Sequence, residues 1–252
     1  GTFLQFFKQN GFSKVVGVEP AKNLRHLNKK KNIDINTFFF DYKSSFRLKR
    51  KYKSFKIITA NNVFAHVPDL KNFALGVKNI LSEDGLFIFE VSYLRDVIKK
   101  LTFDTIYHEH MSYHSLFPLV NFFSSIDLKV LDFDLVKAQG GSIRVYVGHK
   151  NQKENYNKIQ KQISLERKLG LFNKATYIQY YKRIQLQKDK IKNIILNKIS
   201  KKNKILVGYG APAKVTTFCH AFDLNEKDIR AIVDDNDLKQ GKFTPGKKIK
   251  II

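Results

Sequence analysis

Cysteine is nearly absent. Cys219 is the only one in 252 residues, which excludes a disulfide scaffold and any multi-thiolate zinc site within this chain, and fits a reducing cytosol. Long apolar runs are missing too: no stretch approaches the roughly 20 residues that span a bilayer, and no signal peptide opens the sequence. No membrane partner and a cytoplasmic setting are therefore expected. Acidic residues are scarce, 22 against 46 Lys and Arg, for a net charge of +24. Such a charge attracts nucleic acid or anionic membranes without specificity. The lysines are scattered, densest over 150–204, and mixed throughout with Asn, Ile and Phe, with no base-reading motif. Biased composition accounts for that and no specific nucleic-acid partner is expected, with a non-catalytic, basic nucleic-acid-associated module as the alternative. A basic cleft would still favour a phosphate-bearing substrate.

What is present is a globular composition, 43% hydrophobic with 22 phenylalanines, in a chain long enough for one large domain or two smaller ones. TFLQFFKQNGF reads as a helix stopped at Gly11. KVVGVEP reads as a buried strand ending at Glu19, AKNLRHLNKK as a helix and IDINTFFF as a strand. FKIITANNVFAHV holds a strand that breaks at Asn61-Asn62. DLKNFALGVKNILSEDG predicts a helix closed by a turn at Asp84-Gly85, and LFIFEVSY a further strand. SLFPLVNFF predicts a helix capped by Ser115, and LKVLDFDLV and SIRVYVGHK two strands joined through Ala138–Gly141. Alternating strands and helices argue for an α/β fold with a mostly parallel sheet covered on both faces. Residues 150–204 read as one or two long surface helices, and the remainder as a second α/β unit: strand, glycine turn, helix, strand. The expected boundaries are 1–150, a helical linker over 151–203, and 204–252.

Three features could carry chemistry. GYGAPA (208–213) has the spacing of a dinucleotide turn, with Asp234 at the distance of a ribose-binding acid. That opens a nicotinamide-dependent oxidoreductase, against a turn whose glycines serve only backbone geometry. Glu19, Asn61-Asn62 and His66 follow strands and so face one rim, where an acid can hold ribose hydroxyls. Then FDTIYHEHMSYHS (103–115) gathers three of the seven histidines. His108 and His110 could share a metal, but nothing distant supplies a further ligand. Acid–base chemistry needs an imidazole, a carboxylate and a phenol, and Tyr107, His108, Glu109 and His110 provide all three. A polar loop with structural histidines is the bland alternative.

GTFLQFF, GVEPAKN, ANNVFAHVPD, FDTIYHEH with the following YHSL, GGSIRVYV, YGAPAK and VDDNDLKQGKFTPGKKI occur in this order. Together they resemble the S-adenosylmethionine-dependent C-methyltransferases that act on nucleotide-linked deoxysugars. The resemblance implies a class I methyltransferase Rossmann-like domain followed by a second Rossmann-like domain, to which GYGAPA belongs. It also implies a cysteine-rich zinc domain, absent from this sequence. Gly1-Thr2 matches the end of the first cofactor loop, so the central first strand is missing, apolar edges are left exposed, and Ile252 ends early by about a strand. The expectation is a fragment that binds cofactor weakly and is inactive alone. By resemblance His110 is the base, Glu109 orients or tunes an imidazole, and Tyr107 and His108 donate to the acceptor. Gly1, Glu19, Asn62 and Val63 would hold S-adenosylmethionine, while Tyr113, Arg144, Tyr209 and Lys214 would bind the nucleotide sugar. Gln139 stands where histidine is expected before Gly-Gly-Ser.

Overall fold

A computed structural model describes residues 2–22, 33–199, 201 and 204–252. Gly1 and nearly all of the expected AKNLRHLNKK helix lie outside the described residues. Strands β1 (Val16–Val18) and β2 (Asp34–Asn36) pair in parallel. A mixed four-stranded sheet has the order β3 (Phe55–Asn61), β4 (Leu81–Ser92), β6 (Ser142–His149), β5 (Leu128–Val136). β3 and β4 are parallel, whereas β6 is antiparallel to both its neighbours, so the sheet is less parallel than expected. Among the described residues β1 bonds only to β2 and β3 only to β4. Between the two open edges lies a cleft of about 1930 Å³, lined by Leu4, Val16, Val18, Ile33 and Ile57 among others.

Alternation along β4 sends Phe87, Phe89 and Val91 into one core, where they meet Phe64 and Phe123. Phe64 packs 4.5 Å from Phe89 and 6.0 Å from Phe123, ring centre to ring centre, and none of the three is exposed. Burying each such ring contributes about 1.5–3 kcal/mol. Helix Leu70–Ile80, capped by Asp69, buries Phe73, Ala74 and Val77 against the same core. Its end differs from expectation. Leu81 already pairs with Phe55, and Asp84-Gly85 becomes an irregularity within β4 because the β3 edge captures the chain first. IDINTFFF yields only β2. Asp41 then starts helix Tyr42–Tyr52, which the sequence reading did not separate: the Asp41 carboxylate accepts from the Ser44 amide and Ser44 Oγ accepts from the Asp41 amide.

The second unit pairs β7 (Val207–Tyr209) with β8 (Ala231–Val233) in parallel around helix Ala213–Phe222. The two cores interleave. Helix Tyr156–Lys168 places Ile159 and Ile163 in the first core. Helix Leu94–Lys100 places Val97 and Ile98 in the second, beside Tyr180 and Ile184 of the long helix Lys174–Ile194. Among the described residues no helix is long and apolar enough to cross a membrane.

Candidate active site

β3 ends at Asn61, opposite Glu90. Asn62 adopts a left-handed φ of 52°, a conformation its short polar side chain tolerates, and its amide donates to the Glu90 carbonyl at 2.8 Å. The chain thereby turns into the short helical segment Phe64–His66. Phe64 anchors that segment in the core and leaves His66 on the rim.

Between Tyr93 and Leu116 the chain makes an excursion that carries the histidine cluster. Its two ends are fastened together. Tyr93 bridges to His114, the Leu94 amide donates to the His114 carbonyl at 2.9 Å, and the Ala65 carbonyl accepts from the amides of Met111 and Ser112. A buried carboxylate completes the clamp. Glu166 accepts from the Tyr93 hydroxyl at 2.6 Å and from the amides of Leu116 and Phe117 at 2.6 and 3.1 Å. Glu166 thus does the capping expected of Ser115, which sits at the cap position but makes no capping bond. Burial, followed by the adjacent Glu166, pushes the Tyr93 phenol up.

Within the excursion the turn Phe103–Thr105 is the keystone. Thr105 is buried, its hydroxyl donates to the Thr102 carbonyl, and its own carbonyl accepts from His110 Nδ1 at 2.8 Å and the Tyr113 hydroxyl at 3.3 Å. A carbonyl can only accept, so Nδ1 of His110 carries the proton and Nε2 holds the free lone pair. His66 is fixed in the same way, Nδ1 donating to the Glu109 carbonyl at 2.7 Å. The His66 and His110 rings lie 4.9 Å apart, the Tyr107 ring 4.5 Å from His110 and the Tyr113 ring 6.1 Å from it. Burial holds His110 below the ordinary histidine range; His66 and Lys214 push the same way, while the bond to Thr105 and the Glu109 charge oppose. Burial raises Tyr107 and Tyr113, with Glu109 adding to the effect on Tyr107, so both phenols stay protonated as donors.

The structure therefore brings Tyr107, His110 and Tyr113 together. It adds His66, which the sequence placed on this rim without assigning it a role; the strand-end position four residues after Asn62 was the available signal. Glu109 reaches His66 through its carbonyl, while its exposed carboxylate acts on His110 through space. His108 is exposed and, among the described residues, meets the edge of Tyr107 at 6.2 Å. His114 is buried against Phe64 with Ser112 at 2.9 Å, and burial lowers it to about 4.

Glu19, Asn61, Val63 and His66 line the large cleft, whereas Asn62, expected to hold the cofactor, is not among its lining residues. Glu19 accepts from the Ala21 amide through one carboxylate oxygen. Just beyond β2, the buried Thr37 hydroxyl has no partner among the described residues. The Glu19 carboxylate and the apolar Val63 side chain, both lining the cleft, fit a ligand with ribose hydroxyls and an apolar body. Arg144 donates through Nε and Nη2 to Glu90 at 3.1 and 2.9 Å. Tyr209 is exposed and donates to Asp235 at 2.7 Å. Lys214 lies in the first turn of helix Ala213–Phe222. Gln139 takes a left-handed φ of 51°. Asp234 corrects the dinucleotide reading: its carboxylate already accepts from the amides of Ala211 and Asn236 and pairs with Lys239, so it serves the turn.

Residues 1–132 match the methyltransferase domain family, and residues 137–252 the C-methyltransferase C-terminal domain. The C-methyltransferase NovU of Streptomyces niveus is 32% identical over all of this chain, which spans 60% of that relative's length. Among solved structures, an S-adenosylmethionine-dependent methyltransferase of Anabaena variabilis is 14% identical, covering 59% of this chain and 73% of that one, with a TM-score of 0.48. PKMT2 of Rickettsia typhi, in complex with AdoHcy, is 11% identical over 60% of this chain and 47% of that one, with a TM-score of 0.43. These structural likenesses are too distant to add to the family matches. By sequence over its first half and by the domain that follows, the chain belongs to the methyltransferase family, in the branch that carries the C-methyltransferase C-terminal domain.

Proposed function

We propose that this chain carries the catalytic site of an S-adenosylmethionine-dependent C-methyltransferase, methylating the carbon next to the ketone of a nucleotide-linked keto-deoxysugar. One observation supports it most: His110 is tied through Nδ1 to Thr105, half-buried, held below the usual histidine range, and ringed by two protonated phenols. That is the arrangement a general base for a carbon acid needs. His110 Nε2 takes the proton alpha to the ketone, and Tyr107, with His108 and Glu109 beside it, donates to the developing enolate oxygen. His66 extends the polar wall next to the base.

The cofactor supplies an electrophilic sulfonium methyl group when bound. Glu19 would hold ribose hydroxyls, and Asn62 and Val63 the methionine and adenosine portions, with Gly1 as the sequence resemblance implies. Tyr113, Arg144 and Tyr209 are the proposed contacts of the nucleotide sugar, whose phosphates suit the basic surface.

The test is His110→Gln in the full-length protein, with transfer of labelled methyl to a keto-sugar nucleotide and S-adenosylhomocysteine affinity measured by calorimetry. Transfer should fall by about 10²–10⁴-fold with affinity nearly intact. Unchanged turnover would remove His110 from the role.

A further inference from the structure

We infer that Phe103 is a positioning residue for His110: its stack on Phe218 and Phe222 of the carboxyl-terminal unit holds the carbonyl that decides which imidazole nitrogen is protonated. Its bearing on catalysis rests on the reading of His110 as the base.

The excursion between Tyr93 and Leu116 is held from two sides. Its first half is held by the second unit. Val97 and Ile98 are buried in that unit's core, and Arg183 of the long helix donates to the Ile98 and Lys99 carbonyls at 3.0 and 3.1 Å. Phe103 then stacks on Phe222 at 5.0 Å and on Phe218 at 6.3 Å, with the rings inclined by 30° and 21°. Phe218 and Phe222 are four apart and share one face of helix Ala213–Phe222. The second half of the excursion is held by the first unit. There the Ala65 carbonyl accepts from the Met111 and Ser112 amides, and the Glu109 carbonyl from His66 Nδ1.

His110 lies where the two halves meet. It stands on the second half, yet its Nδ1 donates to the carbonyl of Thr105, on the first half and two residues after Phe103. The turn between them has little slack. The Phe103 carbonyl accepts from the Ile106 amide at 2.9 Å, and the Thr102 carbonyl from both the amide and the hydroxyl of Thr105. Displacing Phe103 therefore displaces the Thr105 carbonyl relative to His110. Without that acceptor the proton is free to sit on Nε2, and the lone pair then moves to Nδ1, turned towards Thr105. Each stacked ring pair contributes about two- to tenfold to such an equilibrium.

The experiment is long-range ¹H–¹⁵N NMR of the imidazoles in the whole chain, above the ordinary histidine range, with His110 assigned by its loss in His110→Gln. Phe103→Ala and Phe222→Ala should each move His110 about two- to tenfold towards the Nε2–H form, and Phe103→Leu, which keeps apolar bulk, by less. His66, whose Nδ1 partner stands on the other half, should keep its pattern, which separates positioning from general loosening. In the full-length protein the same variants should lower kcat for methyl transfer and leave the KM for S-adenosylmethionine unchanged, because Phe103 does not line the cleft. An unmoved His110 in both alanine variants, a His66 signal that shifts as far as His110, or a raised KM at unchanged kcat overturns the inference. Where an alanine variant does not fold, Phe103→Leu and Phe222→Leu decide by the same criteria. The tautomer is read without turnover, so its failure is distinct from a failure of His110 as base, which the transfer assay tests by itself.

Discussion

Glu166 is the residue whose loss should unsettle the site most while lying outside it. It is fully buried and its two oxygens satisfy three donors: the Tyr93 hydroxyl and the amides of Leu116 and Phe117. Gln162 donates to the same Tyr93 hydroxyl at 2.7 Å, so the phenol oxygen already serves as an acceptor while its proton goes to Glu166. Glu166→Ala leaves three buried donors unpaired. At about 1–3 kcal/mol each, moderated by water entering the space, the cost is ~3–6 kcal/mol. Glu166→Gln keeps one oxygen for Tyr93 and Leu116 but turns an NH₂ towards the Phe117 amide, and should cost ~1–3 kcal/mol. Urea unfolding followed by circular dichroism reads both as a lower midpoint at unchanged slope. Methyl transfer should fall with stability, because the clamp joins the first and last residues of the excursion that carries His110. A Glu166→Ala loss under about 1 kcal/mol would refute this reasoning.

Two further outcomes are expected. Burial lowers His114 to about 4 in the folded chain, against 6.5 unfolded, so the neutral ring's contribution is present above pH 6.5 and is lost as pH falls towards 4. The difference of about 2.5 units corresponds to ~3 kcal/mol, and His114→Phe should flatten that part of the stability–pH curve. Gly141 has φ 132°, and an added Cβ would run into the Asp96 carboxylate, which pairs with Arg95 and Lys100. Gly141→Ala should cost at least ~1–3 kcal/mol from the backbone alone, seen as a lower thermal midpoint; an unchanged midpoint would contradict the close approach.

Local signals were legible in the sequence. The strand break at Asn61-Asn62, the β5–β6 pair and the strand–turn–helix around Gly210 needed only periodicity and turn residues. Within the cluster, residue types offered Tyr107, His108, Glu109 and His110 for acid–base chemistry, and the family resemblance alone singled out His110. What could not be read was partnership across long separations. Ser115 looks like a cap, and nothing local says that Glu166, some fifty residues later, takes its place. Asp84-Gly85 looks like the turn that closes a helix until the β3 edge, far upstream, claims Leu81. Asp234 has the spacing of a ribose acid, yet the turn it faces consumes its lone pairs. His66 acquires meaning only once the loop bearing His110 folds back to within 4.9 Å of it.

The interleaving of the two cores bears on how this chain can be divided. A cut after His149 would strip Ile159, Ile163 and Glu166 from the first unit. Its excursion would then be unclamped, and Val97, Ile98 and Phe103 would face solvent where the second unit had covered them. The carboxyl-terminal piece would lose the same partners in return. Methyltransferase half and carboxyl-terminal half are thus separable on a sequence map but not with a protease: limited digestion should release no stable half, and complementary fragments should recover structure only when mixed.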